Sequence, residues 1–419
     1  MIIKNGRIMN PATNLDCVMD LEIQNGKIVS IEKNIDKEDE IIDASGLVIA
    51  PGFVDVHVHF RDPGQTYKED IETGAKAAAK GGYTTVICMA NTTPPIDSVE
   101  VLNELIEREK QLPIHVLQAA NVTEKMQGQK LTDMDSLYKA GAVGFTDDGI
   151  PIADEKIMVE ALKKCKELDV PISLHEEDPN LMFSPGVNYG KVSKQLGLGG
   201  APDEAEYVLA TRDILLNRKI GAKLDIQHIS SKVTVEVIRQ AKKNGIQVYG
   251  EVTPQHLSAT EDLVLEKGSL ARVNPPLRTE SDRMALIQGL ADGTLDMIAT
   301  DHAPHAKEEK NKPIQSAPSG MIGLETALGL VIQNVVRPGY VSLMKVVQAL
   351  TINPAKLYRL NAGTIEVGKP ADLVIFDPDE EWIVEDNFAS KSNNSPFIGQ
   401  KVCGKVKMTI CDGKIVYQE

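Results

Sequence analysis

Aromatic residues are scarce in this chain: Phe, Trp and Tyr make up 4% of its 419 residues, with a single Trp. The core must therefore be filled by Val, Ile, Leu and Ala, which a hydrophobic content of 42% can supply. Cysteines are few as well. Cys17, Cys88, Cys165, Cys403 and Cys411 form no C-x-x-C pair and are odd in number. That argues against a disulfide framework and for reduced thiols in a cytosol. No stretch reaches ~18 uninterrupted apolar residues, and Met1-Ile2-Ile3-Lys4-Asn5-Gly6 has no signal-peptide apolar segment. A cytoplasmic protein without a membrane span is expected. Basic charge is in deficit, with 45 Lys+Arg against 60 Asp+Glu and a net charge of -15. Nucleic acid and anionic membranes are thereby excluded as partners. The same field repels a small anionic substrate unless the site carries local positive charge. Also missing are a Gly-rich phosphate fingerprint after the first long strand, a G-x-S-x-G elbow and tandem repeats.

Against these absences stands the stretch from Pro51 to Asp62. Val54, Val56 and Val58 alternate there with Asp55, His57 and His59, the period of a strand. A strand turns both imidazoles to one side, where two ring nitrogens can share a cation. On a helix, residues two apart diverge by roughly 200° and chelation fails. An isolated H-x-H is more often a strand with two surface histidines, so the argument depends on partners elsewhere in the chain.

Residues 1–50 read as short strands with turns at Asn5-Gly6 and Asn25-Gly26, and the far end repeats the style in 371–376, 405–410 and the turn Asp412-Gly413. Neither end holds enough strands for a core alone. One small β-sandwich domain built from 1–51 plus 363–419 is expected. Between them, strand and helix alternate. After the strand from residue 53 come helix 69–80, strand 83–90, helix 98–111, strand 113–121, helix 133–140 and strand 142–147. Helix 154–168, strand 170–175, a Gly/Pro-rich insertion (184–202), helix 203–218, strand 222–228 and helix 232–244 follow. Strand 246–253, helix 281–291, strand 295–300 and helix 323–335 complete the series. Eight βα units predict an α/β fold, a (β/α)8 TIM barrel over 52–362, with a doubly wound open sheet as the alternative.

Barrel chemistry sits at the carboxyl ends of the strands, and the unusual polar residues collect there. His57 and His59 end the first strand, Asn91 the second, Asp147-Asp148 the fourth, His175 the fifth, His228 the sixth and Asp301 the eighth. Each alone could be a satisfied polar residue, but six metal-capable side chains on five strand ends point to a metal site. Four imidazoles and two carboxylates suit Zn²⁺, with room for two ions. Two Zn²⁺, two Asp and a bridging hydroxide sum to about +1, restoring the positive charge an anionic substrate needs. Zinc lowers the pKa of water from ~15.7 toward ~7, so hydroxide attack on a carbonyl or phosphoryl centre is the expected reaction class.

These residues resemble the amidohydrolase superfamily and, within it, the bacterial type I dihydroorotases. The likeness runs through 55–64, Met89-Ala90-Asn91-Thr92, Phe145-Thr146-Asp147-Asp148-Gly149, His175-Glu176-Glu177-Asp178 and His228-Ile229-Ser230. It continues through Glu251-Val252-Thr253-Pro254, Asn274-Pro275-Pro276-Leu277-Arg278, 300–305, 353–356 and 368–373. The resemblance implies one zinc on His57, His59 and Asp301, a second on His175 and His228, and Asp148 bridging. It makes Asp301 the general base and acid, Arg61 and Asn91 the carboxylate binders, and Asn274 and His305 contacts to the ring or carboxylate. Ser319 and Gly320 fall where relatives close the pocket with backbone groups.

It also implies reversible interconversion of (S)-dihydroorotate and N-carbamoyl-L-aspartate, a step of pyrimidine synthesis, with acid favouring ring closure. A homodimer and association with aspartate carbamoyltransferase are implied too. Hydantoinases and allantoinases share the pattern but bridge their metals with a carboxylated lysine, and no lysine stands beside Asp147-Asp148. A non-catalytic subunit of the same superfamily is the remaining alternative. Gln255, Asp62 and Ser319 depart from the usual His, Glu and Phe, which bears on substrate fit. The charged, Pro-containing segment 306–319 reads as a lid or a solvated loop.

Overall fold

The computed structural model describes residues 1–37 and 39–419. Strands from the two ends of the chain pair in one sheet. The first are β1 (Ile2–Asn10), β2 (Leu15–Gln24), β3 (Lys27–Glu32), β4 (Ile41–Asp43) and β5 (Val48–Pro51). The last are β13 (Leu373–Ile383), β14 (Lys401–Cys411) and β15 (Lys414–Gln418). Their order is β15-β14-β13-β5-β1-β2-β3, with β4 also beside β1. A sandwich of two sheets was the expectation. The ladder runs unbroken, because β5 pairs with β1 on one edge and with β13 on the other, and it folds over on itself where Ile28 exchanges backbone bonds with Gly368 and Lys369. Ile3, Ile8, Leu21, Ile28 and Ile49 bury against Leu373, Ile375 and Ile410 on this sheet.

Asn25-Gly26 and Asp412-Gly413 turn the chain as expected, with φ of 50° and 76° and of 48° and 72°. Asn5-Gly6 does not. It lies inside β1 as a bulge, where the register against β2 shifts between Ile3 and Gly6. The Asn5 amide donates to Asp20 Oδ1 at 2.9 Å, and a Cβ on Gly6 would lie 2.3 Å from Ile49 Cδ1. Glycine there serves close packing, not chain reversal.

The middle of the chain forms two parallel arcs. One contains β6 (Phe53–Val58), β7 (Tyr83–Cys88) and β8 (His115–Gln118). The other contains β9 (Pro171–Leu174), β10 (Lys223–Ile226), β11 (Val248–Val252) and β12 (Met297–Ile298). Helices between them begin where short polar side chains cap free amides: Asp70 before Ile71–Lys80, Ser98 before Val99–Glu109, Asp154 before Glu155–Leu168 and Ser231 before Lys232–Lys243.

The expected strand 142–147 shrinks to isolated bridges of Phe145 with Ala120 and with Ile172, which span the seam between the arcs. Its ladder ends early because the Asp147 carboxylate captures the Val122 and Thr123 amides. At the other seam Val58 bridges His302, and the His59 amide donates to the His302 carbonyl at 2.9 Å. The buried Asp55 carboxylate accepts from the Thr300 amide and hydroxyl and from the His57 amide, tying both flanks of that seam. The 184–202 insertion carries a helix, Lys191–Gln195, and Lys307–Lys310 forms another inside 306–319.

Candidate metal centre

Every strand end named from the sequence delivers a side chain to one place, the fourth through Asp148 and not Asp147. A cavity of about 170 Å³ is lined by His59, Arg61, Asn91, Asp148, His175, His228, Asn274, Asp301, His305, Ser319 and Gly320, with Gly149 and Ala303. His57 lies beneath its floor, fully buried.

Asp148 is the hub. Its Oδ1 lies 3.7 Å from His57 Nε2, 3.6 Å from His175 Nδ1 and 3.8 Å from His228 Nε2, and its Oδ2 lies 3.4 Å from His59 Nε2. Asp301 Oδ1 stands 3.6 Å from His57 Nε2 and 3.0 Å from His59 Nε2. Donors around a tetrahedral ion at zinc distances sit roughly 3.3 Å apart, so these separations match shared coordination. The groups His57–His59–Asp301 and His57–Asp148–His228 each offer three donor atoms within 4.8 Å of one another. Among the described residues, neither His57 Nε2 nor Asp148 Oδ1 has a hydrogen-bond partner. Two orphaned buried polar atoms aimed at one another are costly without a cation between them. The donor set fits a metal.

Electrostatics agree. Burial opposes a charged His57, yet Asp148 and Glu251 outweigh it and raise its pKa. Burial likewise opposes charge on His175, but Asp148 and Glu177 push it up to about 10. Burial works against an ionised Asp148, while His57, His175 and His228 hold it well below the usual carboxylate range. The pocket thus stabilises positive charge at its centre, in protons or in metal.

Backbone strain marks the same spot. Arg61, His228 and Asp301 adopt φ of 59°, 33° and 49°, a region that costs non-glycine residues energy and recurs at functional sites.

Asp147 turns the other way, as adjacent strand residues must. Its carboxylate accepts from Asn121 Nδ2, the Val122 and Thr123 amides and the Thr123 hydroxyl, and touches none of the histidines. Asn91 does more than line the pocket: its Oδ1 accepts from His59 Nδ1 at 3.0 Å, and its Nδ2 donates to Asp148 Oδ2 at 3.1 Å. Arg61 Nε donates to the Pro304 carbonyl at 3.2 Å, aiming the guanidinium into the cavity beside His305. His305 Nε2 donates to the Ser319 carbonyl at 2.8 Å. Burial together with Arg61, Lys68 and Lys310 pushes its pKa down to about 2, so the ring is neutral. Ser319 Oγ donates to Asn274 Oδ1 at 2.9 Å. Gly320 has φ of 130°, and a Cβ there would lie 2.8 Å from Ala303 Cβ.

Sequence reasoning overlooked the residues that orient the ligands. Glu251 Oε2 lies 3.0 Å from His57 Nδ1, and Glu177 Oε2 lies 3.1 Å from His175 Nε2. Each carboxylate selects the tautomer that turns the other nitrogen toward Asp148. Glu251 is the penultimate residue of β11, a strand-mouth position that could have flagged it. Lys310 was overlooked too. Its buried Nζ donates to the Pro318 and Gly320 carbonyls at 2.9 Å each, holding the segment that carries Ser319. Of the three departures from the resemblance, Gln255 Nε2 donates to the Thr300 carbonyl, Asp62 forms a two-pronged pair with Arg108, and Ser319 meets Asn274.

Comparison with known proteins extends the picture. Residues 48–416 match the model of the Amidohydrolase family. The dihydroorotase of Clostridioides difficile (strain 630) is 55% identical over 419 residues, covering 100% of this chain and 99% of that protein. The dihydroorotase of Clostridium acetobutylicum is 52% identical, with 100% of each covered. Among solved structures, the L-hydantoinase of Arthrobacter aurescens superimposes with a TM-score of 0.89 at 28% identity, covering 100% of this chain and 96% of that one. The dihydropyrimidinase of Brevibacillus agri NCHU1002 gives 0.86 at 26%, covering 100% and 95%. The architecture is that of a TIM barrel with a small added domain, and the clustered His and Asp side chains are those of a metal-dependent cyclic amide hydrolase. The chain belongs to the amidohydrolase family, in the branch formed by the bacterial dihydroorotases.

Proposed function

We propose that this chain interconverts (S)-dihydroorotate plus water and N-carbamoyl-L-aspartate, with zinc at the Asp148 centre, two ions per chain. One observation carries the reading: Asp148 stands within 4 Å of four imidazoles at a strand mouth that has no lysine to carry the bridge. Identity of 52–55% over the whole chain to dihydroorotases supports the substrate. The two arcs and their bridged seams support a closed (β/α)8 barrel over 52–362, flanked by a β domain of 1–51 plus 363–419.

His57, His59 and Asp301 would hold one ion, His175 and His228 the other, and Asp148 both. When bound, zinc supplies a polarised carbonyl and water ionised near neutral pH. The protein's own residues do the rest. The Arg61 guanidinium faces the substrate carboxylate with a planar fork, helped by Asn91, Asn274 and His305. A neutral His305 gives away no charge that Arg61 would have to oppose. Asp301, held ionised by His59 and His57 against the pull of burial, takes the proton of the attacking water on a carboxylate oxygen. The ring C–N bond breaks, and Asp301 returns that proton to the departing ring nitrogen. Closure runs the same steps backwards and consumes a proton at the side-chain carboxyl, so acid favours the ring. Ser319 and Gly320 form the wall opposite the strand mouth.

The likeness to dihydroorotases also supports a homodimer and a contact with aspartate carbamoyltransferase, which the mass of the purified protein with and without that enzyme would test. Free cysteines, four of them buried, fit a reducing cytoplasm. Among the described residues no helix is long and apolar enough to cross a membrane.

The decisive experiment measures hydrolysis of dihydroorotate and of 5-substituted hydantoins before and after chelation, with metal quantified. Loss of turnover with the metal and recovery on adding Zn²⁺ are expected, with dihydroorotate preferred. Full turnover by a metal-free chain overturns the metal assignment, and a preference for hydantoins overturns the substrate.

A further inference from the structure

A second set of mixed donors lies at the opposite end of the barrel strands. His115 opens β8, Asp372 immediately precedes β13, Cys411 closes β14 and Asp412 begins the turn into β15. His115 Nε2 lies 3.3 Å from Asp372 Oδ2 and 3.8 Å from Asp412 Oδ2. One donor atom each from His115, Asp372 and Cys411 fall within 4.8 Å of one another. We propose that His115, Asp372 and Cys411 form a second metal site, with Asp412 beside His115 on its open side, a structural zinc site that ties the barrel to the sheet built from the chain ends.

Geometry and chemistry both favour this ion. Tetrahedral zinc needs donors roughly 3.3–3.6 Å apart; His115 and Asp372 already stand at that spacing, and Cys411 lies within 4.8 Å of both. The imidazole and the thiolate select zinc over magnesium or calcium, which prefer oxygen donors alone.

The inner pair, Asp372 and Cys411, is buried, while the side chains of His115 and Asp412 are 38% and 61% exposed. They border a cleft of about 300 Å³ through which an ion can enter from solvent. Asp372 is pre-aimed, because its Oδ1 accepts the Asp412 amide at 2.7 Å and leaves Oδ2 facing His115. The Asp412-Gly413 turn sets Asp412 Oδ2 3.8 Å from His115 Nε2.

Burial and the carboxylates of Asp372 and Asp412 keep the Cys411 thiol protonated, its Sγ facing the Thr84 carbonyl at 3.8 Å, while the His115 backbone amide pulls the other way. A divalent cation reverses that balance and releases the thiol proton to solvent as the sulfur–metal bond forms. The His115 imidazole, whose proton is favoured by Asp372 against burial, gives up its charge to the ion in the same way.

Cobalt provides a test independent of the strand-mouth centre, since none of the six donors there is sulfur. The full chain, stripped by a chelator and reloaded with Co²⁺, should show a near-ultraviolet thiolate-to-cobalt charge-transfer band. That band should vanish in Cys411→Ser and persist in Cys17→Ser, the exposed cysteine. His115→Ala should bind one zinc fewer per chain and melt several degrees lower, with dihydroorotate turnover within about twofold of the parent. A cobalt-loaded parent without the band overturns the site, as does a band that survives Cys411→Ser. Loss of the strand-mouth metal or of turnover would leave the band in place, so failure of the proposed function and failure of this site are read separately.

Discussion

At the carboxyl ends of the parallel strands, His57, His59, His175 and His228 converge on Asp148; at the amino end of β8, His115 meets Asp372, Cys411 and Asp412. The first cluster draws its donors from one barrel, buries all of them and backs its rings with a further layer of acceptors: Glu251 behind His57, Glu177 behind His175 and Asn91 behind His59. The second draws its donors from two parts of the chain, leaves half of them in water and, among the described residues, gives its imidazole no partner beyond the cluster's own carboxylates. Outer acceptors fix ring orientation to a fraction of an ångström, which turnover requires. A cross-link needs only donors that reach.

The contrast breaks most visibly at the fourth strand. Asp148→Asn should lower turnover more than ~100-fold, above what outer partners cost, with little change in melting temperature. Its neighbour should do the reverse. Asp147→Asn leaves part of a buried acceptor network unpaired, worth about 1–3 kcal/mol of stability, with turnover per folded molecule near that of the parent. Comparable turnover in the two variants, measured on folded protein, would contradict the assignment of Asp148.

A smaller effect sharpens the role of the outer layer. Glu251→Gln should cost about 10–100-fold in metal affinity or turnover, since an amide cannot hold the His57 tautomer as a carboxylate does. Metal titration of the stripped variant checks it, and unchanged affinity and turnover would reduce Glu251 to a packing residue.

The smallest effect belongs to the lower end, beside His115. Burial pushes the Glu109 carboxyl up to about 7, above its ordinary 4.5. A carboxyl whose folded pKa is raised favours the folded state below its unfolded value and loses that benefit as pH climbs from about 4.5 to about 7. Glu109→Gln removes the loss, so the variant should exceed the parent by on the order of 2 kcal/mol at pH 8 and match it below pH 4.5. Paired denaturant melts at the two pH values decide it; a constant difference would show that the carboxyl does not titrate there.

Much of this was legible before the structure. The alternation of strands and helices followed from the period of the apolar residues, and Asp70, Ser98 and Asp154, which cap three of those helices, were signals left unused. The convergence of His57, His59, His175, His228 and Asp301 followed from the rule that barrel chemistry gathers at strand ends. Other features were not legible, for identifiable reasons. Asn5-Gly6 signals a positive φ, but sequence does not say whether that conformation reverses a chain or bulges a strand. The fourth strand was read as six residues, yet Asp147 takes amides that a ladder would have used. Strand alternation required Asp147 and Asp148 to face opposite ways but was silent on which faces in; the Val122 and Thr123 amides settle where Asp147 goes. Glu251 sits at a strand mouth and could have been flagged, but its partner, like that of Glu177, comes from a contact that only the folded arrangement creates.

The sheet shared by both ends of the chain has a consequence for synthesis. β5 can pair with β1 as soon as the first fifty residues have emerged, but its other edge waits for Leu373 and its neighbours. Until then a ladder of unsatisfied amides lies open beside Val48, Ile49 and Ala50, residues that end fully covered. A polypeptide released early, or clipped ahead of Leu373, keeps an intact set of strand-mouth histidines and an adhesive flank, so its fate should be decided by self-association rather than by loss of chemistry.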